Sequence, residues 1–145
     1  MTSQLNVDTI VDKAGSGGTN VKIGNTSTYV GEGGSGSQNT VQGLCKVWYS
    51  FDLQSSQNSF EGSFNCSTGT DNNGGDCTIT FTNAMSSQDY TPVNSSADSD
   101  ITHTQADRTD GNASRGTTTF KTRVRDNTGT LRDGIHYVAL FGDLA

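Results

Sequence analysis

Strict alternation of apolar and polar residues constrains this chain more than any other feature of its sequence. In residues 76–82 (DCTITFT), Cys77, Ile79 and Phe81 fall on one face and the threonines fall on the other. A period of two is the period of a β-strand, whereas a helix would scatter these side chains around its axis. Three further stretches alternate in the same way: residues 44–52 with Cys45, Val47, Tyr49 and Phe51, residues 59–67 with Phe60, Gly62, Phe64 and Cys66, and residues 117–125 with Thr118, Phe120, Thr122 and Val124.

Turn-forming residues separate these stretches. Residues 70–75 (TDNNGG) predict a hairpin turn, because Asn, Asp and Gly tolerate positive φ. Residues 90–95 and 101–105 predict two weaker strands, and residues 135–141 (IHYVALF) predict the last and most apolar one. Seven short strands without a helical period indicate an all-β fold, an antiparallel sandwich or barrel, and we expect the sandwich.

The core of such a fold must be thin. Only 30% of the residues are hydrophobic, against about 45–50%, counting Gly, in ordinary globular domains. Two packed sheets suit this composition, as do subunits that complete one another's cores, and we expect a homotrimer. The predicted core consists of the apolar residues on the inward faces: Phe51, Phe64, Ile79, Phe81, Phe120, Val124, Val138 and Leu140.

Three segments follow from the distribution of apolar residues and glycines. Residues 1–30 predict two short strands, at 5–11 and 21–23, but hold too few apolar residues to close a core of their own. We therefore expect this segment to dock on another protein through Leu5, Val7, Ile10 and Val11. Residues 31–40 (GEGGSGSQNT) have the composition of a flexible linker. Residues 41–145 form the predicted β-sandwich knob.

Charge and hydropathy narrow the partners. The net charge is −6 and no basic run occurs, so we expect no binding to the phosphate backbone of a nucleic acid. No apolar stretch approaches the roughly 20 residues that span a bilayer, and we expect no membrane insertion. The N-terminal residues lack the charged and apolar regions of a secretory signal, which predicts synthesis in a cytoplasm.

The three cysteines and two histidines are the residues with the greatest potential for chemistry. Cys66 and Cys77 have two interpretations: thiols buried as small apolar residues, which we favour, or a disulfide across a hairpin. His136 falls inside the last predicted strand, which favours a structural role. A nucleophilic pair of Cys45 with His136 has no flanking turn that would expose it. We expect no enzymatic activity, no metal site and no cofactor.

Trp48 and three cations are the candidate contact residues. Trp48 alternates with the predicted core residues and should point outward, where an exposed indole needs a partner. A neighbouring subunit is the favoured partner and a sugar ring the alternative. Lys121, Arg123 and Arg125 fall on the outward face of one strand. The favoured interpretation is that these three side chains are solvated on the protein surface. The alternatives are that they bind an anionic host polysaccharide or form ion pairs with an Asp of another subunit.

Several short segments also carry a resemblance to a known family. Residues 1–10 (MTSQLNVDTI) resemble the opening of short tail-fibre-like proteins from marine tailed phages, including cyanophages and pelagiphages. Residues 46–52 (KVWYSFD), 63–65 (SFN), 79–86 (ITFTNAMS) and 141–144 (FGDL) resemble the distal domain of the same proteins. Those proteins carry Val or an aromatic residue where this chain has Cys66 and Cys77, which favours the thiol interpretation.

The resemblance implies a structural protein of the virion, usually trimeric, with one end docked on the particle. We therefore expect a fibre or fibre-like appendage of a tailed bacteriophage, attached to other virion proteins of the tail, an adaptor or the capsid. Its knob would contact the host surface, with host polysaccharide as a candidate partner. The alternative is a capsid decoration, cement or head-fibre protein that stabilises the particle.

Overall fold

The computed structural model describes residues 28–30, 37–40, 43–54, 58–97, 101–105 and 115–145. The chain divides into two compact units, residues 1–41 and residues 42–145. In the first unit, β1 (Thr28–Val30) pairs antiparallel with β2 (Ser37–Asn39). Strand β2 lies inside the stretch that composition marks as a linker. The strands predicted at 5–11 and 21–23 lie outside the described residues.

The second unit is a sandwich of two four-stranded antiparallel sheets, and no α-helix occurs in its described residues. The first sheet has the strand order β4-β3-β10-β7 and the second has the order β5-β6-β9-β8. The prediction of an all-β sandwich is confirmed. The strands are β3 (Cys45–Asp52), β4 (Ser59–Phe64), β5 (Cys66–Asn73), β6 (Asp76–Phe81), β7 (Thr91–Ala97), β8 (Ile101–Gln105), β9 (Thr119–Asp126) and β10 (Ile135–Phe141).

The chain passes between the two sheets at both edges, from β4 to β5 and from β7 to β8. The first passage takes a single residue, Asn65, whose φ is 59°. Asn tolerates this left-handed conformation better than most residues. Its side-chain amide donates to the carbonyl oxygens of Lys46 and Asn83 at 3.2 and 3.1 Å, and its Oδ1 accepts from the Asn83 amide at 2.7 Å. These bonds fix the corner between the sheets.

Alternation of side chains places one apolar face of each sheet against the other. The core draws on strands of both sheets, and Phe51 and Phe60 lie 4.9 Å apart between ring centroids. Of the predicted core residues, seven are buried and Phe64 is not. The buried core cluster comprises Val47, Tyr49, Phe51, Leu53, Cys77, Ile79, Phe81, Met85, Tyr90, Phe120, Val138 and Leu140.

Phe64 is 51% exposed, so its predicted place in the core is wrong. The cause is a β-bulge in β4. Phe51 pairs with Phe60, but Ser50 pairs with Gly62, so Glu61 is an extra residue on this strand. An extra residue reverses the alternation beyond it. Phe64 therefore lies opposite the outward-facing Trp48.

The hairpin between β5 and β6 turns at Gly74 and Gly75, so the turn is tighter than the predicted 70–75 and β5 runs through most of that stretch. Gly75 has a φ of 70°, and a Cβ there would lie 2.3 Å from the carbonyl oxygen of Arg132. The Gly75 amide donates to Asp133 Oδ1 at 2.6 Å, and its carbonyl accepts from the Val124 amide at 2.8 Å. The turn is thus tied to the chain that follows β9.

Candidate functional site: an exposed aromatic face and a buried thiol–imidazole cluster

A cysteine lies beside His136 in the core, but it is Cys77 and not Cys45, the cysteine considered from the sequence. Thr122 Oγ1 lies 2.8 Å from Nδ1 of His136, and Cys77 Sγ lies 3.2 Å from Thr122 Oγ1 and 3.5 Å from the same Nδ1. The hydroxyl of Tyr49 lies 3.4 Å from Thr122 Oγ1. Cys45, the partner considered for His136 from the sequence, bonds instead to the carbonyl oxygen of Val47 at 3.0 Å. His136 lies inside the last strand, as predicted, and is fully buried.

The environment of this cluster opposes nucleophilic chemistry. Burial raises the pKa of the Cys77 thiol to about 12 and lowers the pKa of His136 to about 4, although Asp76 and Asp133 act in the opposite direction on the imidazole. A nucleophilic thiol needs the reverse, a lowered pKa beside a base that accepts protons near neutrality. Burial also keeps both groups from a substrate. The cluster is suited to a structural role in the core.

The cysteines are free thiols in this structure. Cys66 lies opposite Phe81 in the β5–β6 ladder, and Cys77 lies opposite Asp71, so the hairpin does not bring the two sulfurs face to face. Cys77 is buried as expected, whereas Cys66 is only half-buried. Burial raises the pKa of the Cys66 thiol to about 12. The register therefore favours thiols over a disulfide.

The cationic strand face is less available than the sequence indicates. Lys121, Arg123 and Arg125 do share the outward face of β9, but all three are partly buried. Arg123 Nε donates to Asp76 Oδ2 at 2.8 Å within the same chain, with 12% and 7% of the two side chains exposed. Arg125 donates to the carbonyl oxygen of Gly129 at 2.5 Å. Arg123 thus forms an ion pair within its own chain.

The first sheet carries an apolar row on its outer face. Phe64, Trp48, Ala139 and Val93 are direct cross-strand neighbours on β4, β3, β10 and β7. Trp48 and Val93 are 45% and 58% exposed. The next row contains Gly62, Ser50, Tyr137 and Ser95 in the same strand order, with Tyr137 38% exposed. We call these two rows the aromatic face.

A shallow groove of about 400 Å³ lies over the β3, β10 and β7 side of this face. Ala139 is the small residue between Trp48 and Val93, so the side chains on either side form walls above it. Tyr137 and the hydroxyls of Ser50 and Ser95 line its second row. The groove lining contains no charged residue. Such a surface offers apolar contact and hydroxyl hydrogen bonds together.

Trp48 is held in place by the strand beside it. A Cβ built on Gly62 would lie 3.4 Å and 3.5 Å from Cζ3 and Cη2 of the indole, so the ring lies against the Gly62 backbone. Aromatic cover of a strand glycine fixes the ring and protects the glycine's backbone. Ser50, in the row of Gly62, donates to Glu61 Oε2 at 2.6 Å. The indole and this hydroxyl are therefore positioned before any partner arrives.

Sequence reasoning identified Trp48 but missed Tyr137, Val93 and Ala139. Their signal was present, because Tyr137 and Ala139 alternate with the buried His136, Val138 and Leu140 along β10. What the sequence does not give is the register that brings Val93 and Trp48 to the two sides of Ala139. The docking residues Leu5, Val7, Ile10 and Val11 lie outside the described residues.

Membrane-spanning helices and metal-binding clusters are absent from the described part of the chain. No helix there is long and apolar enough to cross a membrane. In the same residues, no three His, Cys, Asp or Glu side chains come together as a metal site would require. Comparison with protein-family models, with curated proteins and with solved structures finds no match to the chain.

Proposed function

We propose that this protein is a structural component of a tailed bacteriophage virion, a trimeric fibre or fibre-like appendage. Residues 1–30 dock on other virion proteins, and the sandwich of residues 41–145 is a knob that contacts the host surface. The observation that carries this proposal is the aromatic face, because it gathers the exposed Trp48, Phe64 and Tyr137 on one sheet of a polar protein, and aromatic residues are enriched in contact surfaces.

The contrast between the two sheets supports a single contact face. The outer face of the second sheet presents polar residues, with Thr68, Thr80 and Thr119 in one row and Thr70, Thr78 and Lys121 in the next. Hydroxyl-bearing residues are the ordinary composition of a solvated strand surface. The large exposed apolar side chains of paired strands, Trp48, Phe64, Val93 and Tyr137, all lie on the first sheet among the described residues. The knob thus has one solvent face and one contact face.

The trimer rests on the N-terminal segment. The core of the second unit closes within one chain, as Val47, Phe51, Ile79 and Phe120 show by their burial. The sandwich therefore needs no subunit to complete it. Residues 1–30 contain apolar positions without a core of their own, and such a segment gains stability by adding strands to a partner. Light scattering that gives a monodisperse monomer near 15.3 kDa would contradict the trimer.

Particle assembly tests the proposed attachment. Replacement of Leu5, Val7, Ile10 and Val11 by Ser is expected to abolish incorporation of the protein into particles, because it removes the apolar docking positions. The matched control is Trp48→Ala, which leaves incorporation unchanged. A cryo-EM map of the particle then gives the site of attachment. Density with the knob lying flat on the capsid would contradict the fibre and favour a decoration protein.

A further inference from the structure

We propose that the groove over Ala139 binds an uncharged saccharide chain. One sugar ring of the chain stacks on Trp48, and hydroxyls along the chain form hydrogen bonds with Ser50 and Ser95. This inference rests on the proposed function, since it names the chemistry by which the knob contacts a surface. It concerns the groove bounded by Trp48, Val93 and Tyr137 alone.

The size of the aromatic face favours a small ligand over a second protein. Four strands about 4.8 Å apart and two rows about 6.7 Å apart give a patch of about 250 Å². A stable protein–protein interface buries about 800 Å² on each partner. The groove volume of about 400 Å³ falls instead in the range of small-molecule sites, about 300–1,000 Å³. A few sugar rings fit such a groove, and a folded partner would need far more surface.

The charge of the site selects among saccharides. The groove lining contains no charged residue. Beside it, Ser50 is hydrogen-bonded to the negatively charged carboxylate of Glu61, and the whole chain carries a net charge of −6. An acidic polysaccharide would be repelled, and it would find no cation in the groove. The partly buried cations of β9 belong to the other sheet. A neutral glycan would not be repelled by this negative charge.

The arrangement of rings and hydroxyls matches the two faces of a sugar. A pyranose ring presents C–H groups on one face, which pack on an aromatic ring, and hydroxyls around its edge, which need hydrogen-bond partners. Tyr137 lies between Ser50 and Ser95 in its row, so an aromatic surface is flanked by hydroxyls on both sides. The hydroxyl of Ser50 donates its hydrogen bond to Glu61, so the Ser50 oxygen remains able to accept a hydrogen bond from a sugar hydroxyl.

The chain contains a single tryptophan, so tryptophan emission, excited where its tyrosines do not absorb, reports on this groove alone. The full-length protein is titrated with soluble neutral polysaccharides (a glucan, a galactan and a mannan) and with alginate as the acidic comparator. We expect at least one neutral polysaccharide to shift the Trp48 emission to shorter wavelength with saturation, and alginate to leave it unchanged. A response to alginate alone, or to none of the four, would overturn the proposal.

Two groove variants and one matched control locate the binding. Ala139→Leu fills the groove floor and Tyr137→Ala removes an aromatic wall, while both retain the tryptophan reporter. Each is expected to weaken binding by about tenfold or more, which corresponds to about 1.4 kcal/mol. Leu44→Ala removes an exposed apolar residue outside the aromatic face and outside the groove, and it is expected to leave affinity unchanged. Equal losses in all three variants would contradict a groove-specific site.

Two further readouts separate this inference from the function on which it rests. An emission shift that follows protein concentration without any saccharide would show that a second copy covers Trp48, and the glycan site would fall. Phages that carry Ala139→Leu are expected to assemble normally and to adsorb more slowly. Normal adsorption together with no saccharide binding would remove the glycan site and leave the virion role standing. Saccharide binding by a protein that particles lack would remove the virion role instead.

Discussion

Acidification should destabilise this protein well above the pH at which carboxylates titrate. His136 is completely buried, and its Nε2 has no hydrogen-bond partner, so an imidazolium there would be desolvated. Burial lowers its pKa from 6.5 to about 4. The unfolded chain therefore binds a proton at a pH where the folded chain does not. Stability is fully present above about pH 6.5 and declines as the pH falls toward 4.

The magnitude follows from the two pKa values. Between pH 7 and pH 5 the free energy of unfolding should fall by about 2 kcal/mol, and the total loss below pH 4 should approach about 3 kcal/mol. Asp126 acts in a separate window. Hydrogen bonds from the side chain of Thr128, the Thr130 amide and Arg132 lower the pKa of its carboxyl, so its contribution is lost only as the pH falls below about 4.

Urea denaturation at a series of pH values between 7 and 5 measures this loss. His136→Gln removes the titrating group and is expected to flatten the pH dependence in this window, whatever its stability at pH 7. The control is His103→Gln, since His103 is the other histidine of the chain. Wild-type stability that stays constant from pH 7 to pH 5, or a pH dependence that disappears with His103→Gln, would refute the assignment to His136.

Three other predictions test the packing and the redox state. Gly69→Ala should cost about 1–3 kcal/mol, because a Cβ there would lie 2.2 Å from the ring of Phe51; Gly74→Ala, with no atom within 4 Å, is the control, and equal melting temperatures would contradict this packing. Phe81→Ala should cost about 3–5 kcal/mol in chemical denaturation, whereas Phe64→Ala should change stability by less than about 0.5 kcal/mol. The buried Cys77 thiol should resist iodoacetamide in the native protein at pH 8, and a reductant should leave the melting temperature unchanged. An adduct on native Cys77, or a drop in melting temperature with reductant, would contradict the buried-thiol interpretation.

Local patterns predicted the strands well where one face meets the core. Residues 76–82 alternate cleanly and residues 135–141 are the most apolar run of the chain, and the structure has β6 and β10 there with the predicted core residues inward. Half of strand β5, residues 70–73, was assigned to a turn, because the residues of β5 beyond Cys66 are polar apart from Gly69. Gly69 is the residue that packs on Phe51, and a glycine carries no apolar signal in a sequence.

The other differences between the sequence predictions and the structure come from contacts between residues that are far apart in the sequence. The bulge at Glu61 depends on the register with β3, so alternation within β4 alone places Phe64 on the wrong face. Arg123 resembles a solvated strand residue until Asp76, 47 residues away, is placed beside it. His136 meets Cys77 across 59 residues. None of these pairings can be predicted from the spacing of residues along the chain.

The pairing of β3 with β10 has a consequence for the time at which this protein can fold. These are the earliest and latest strands of the second unit, and β10 lies between β3 and β7. Before residues 135–141 leave the ribosome, β3 and β4 can form only a two-stranded ribbon, which is marginally stable in water. Contacts so distant in sequence also form slowly. The first sheet, and with it the aromatic face, is therefore completed only after β10 has been made.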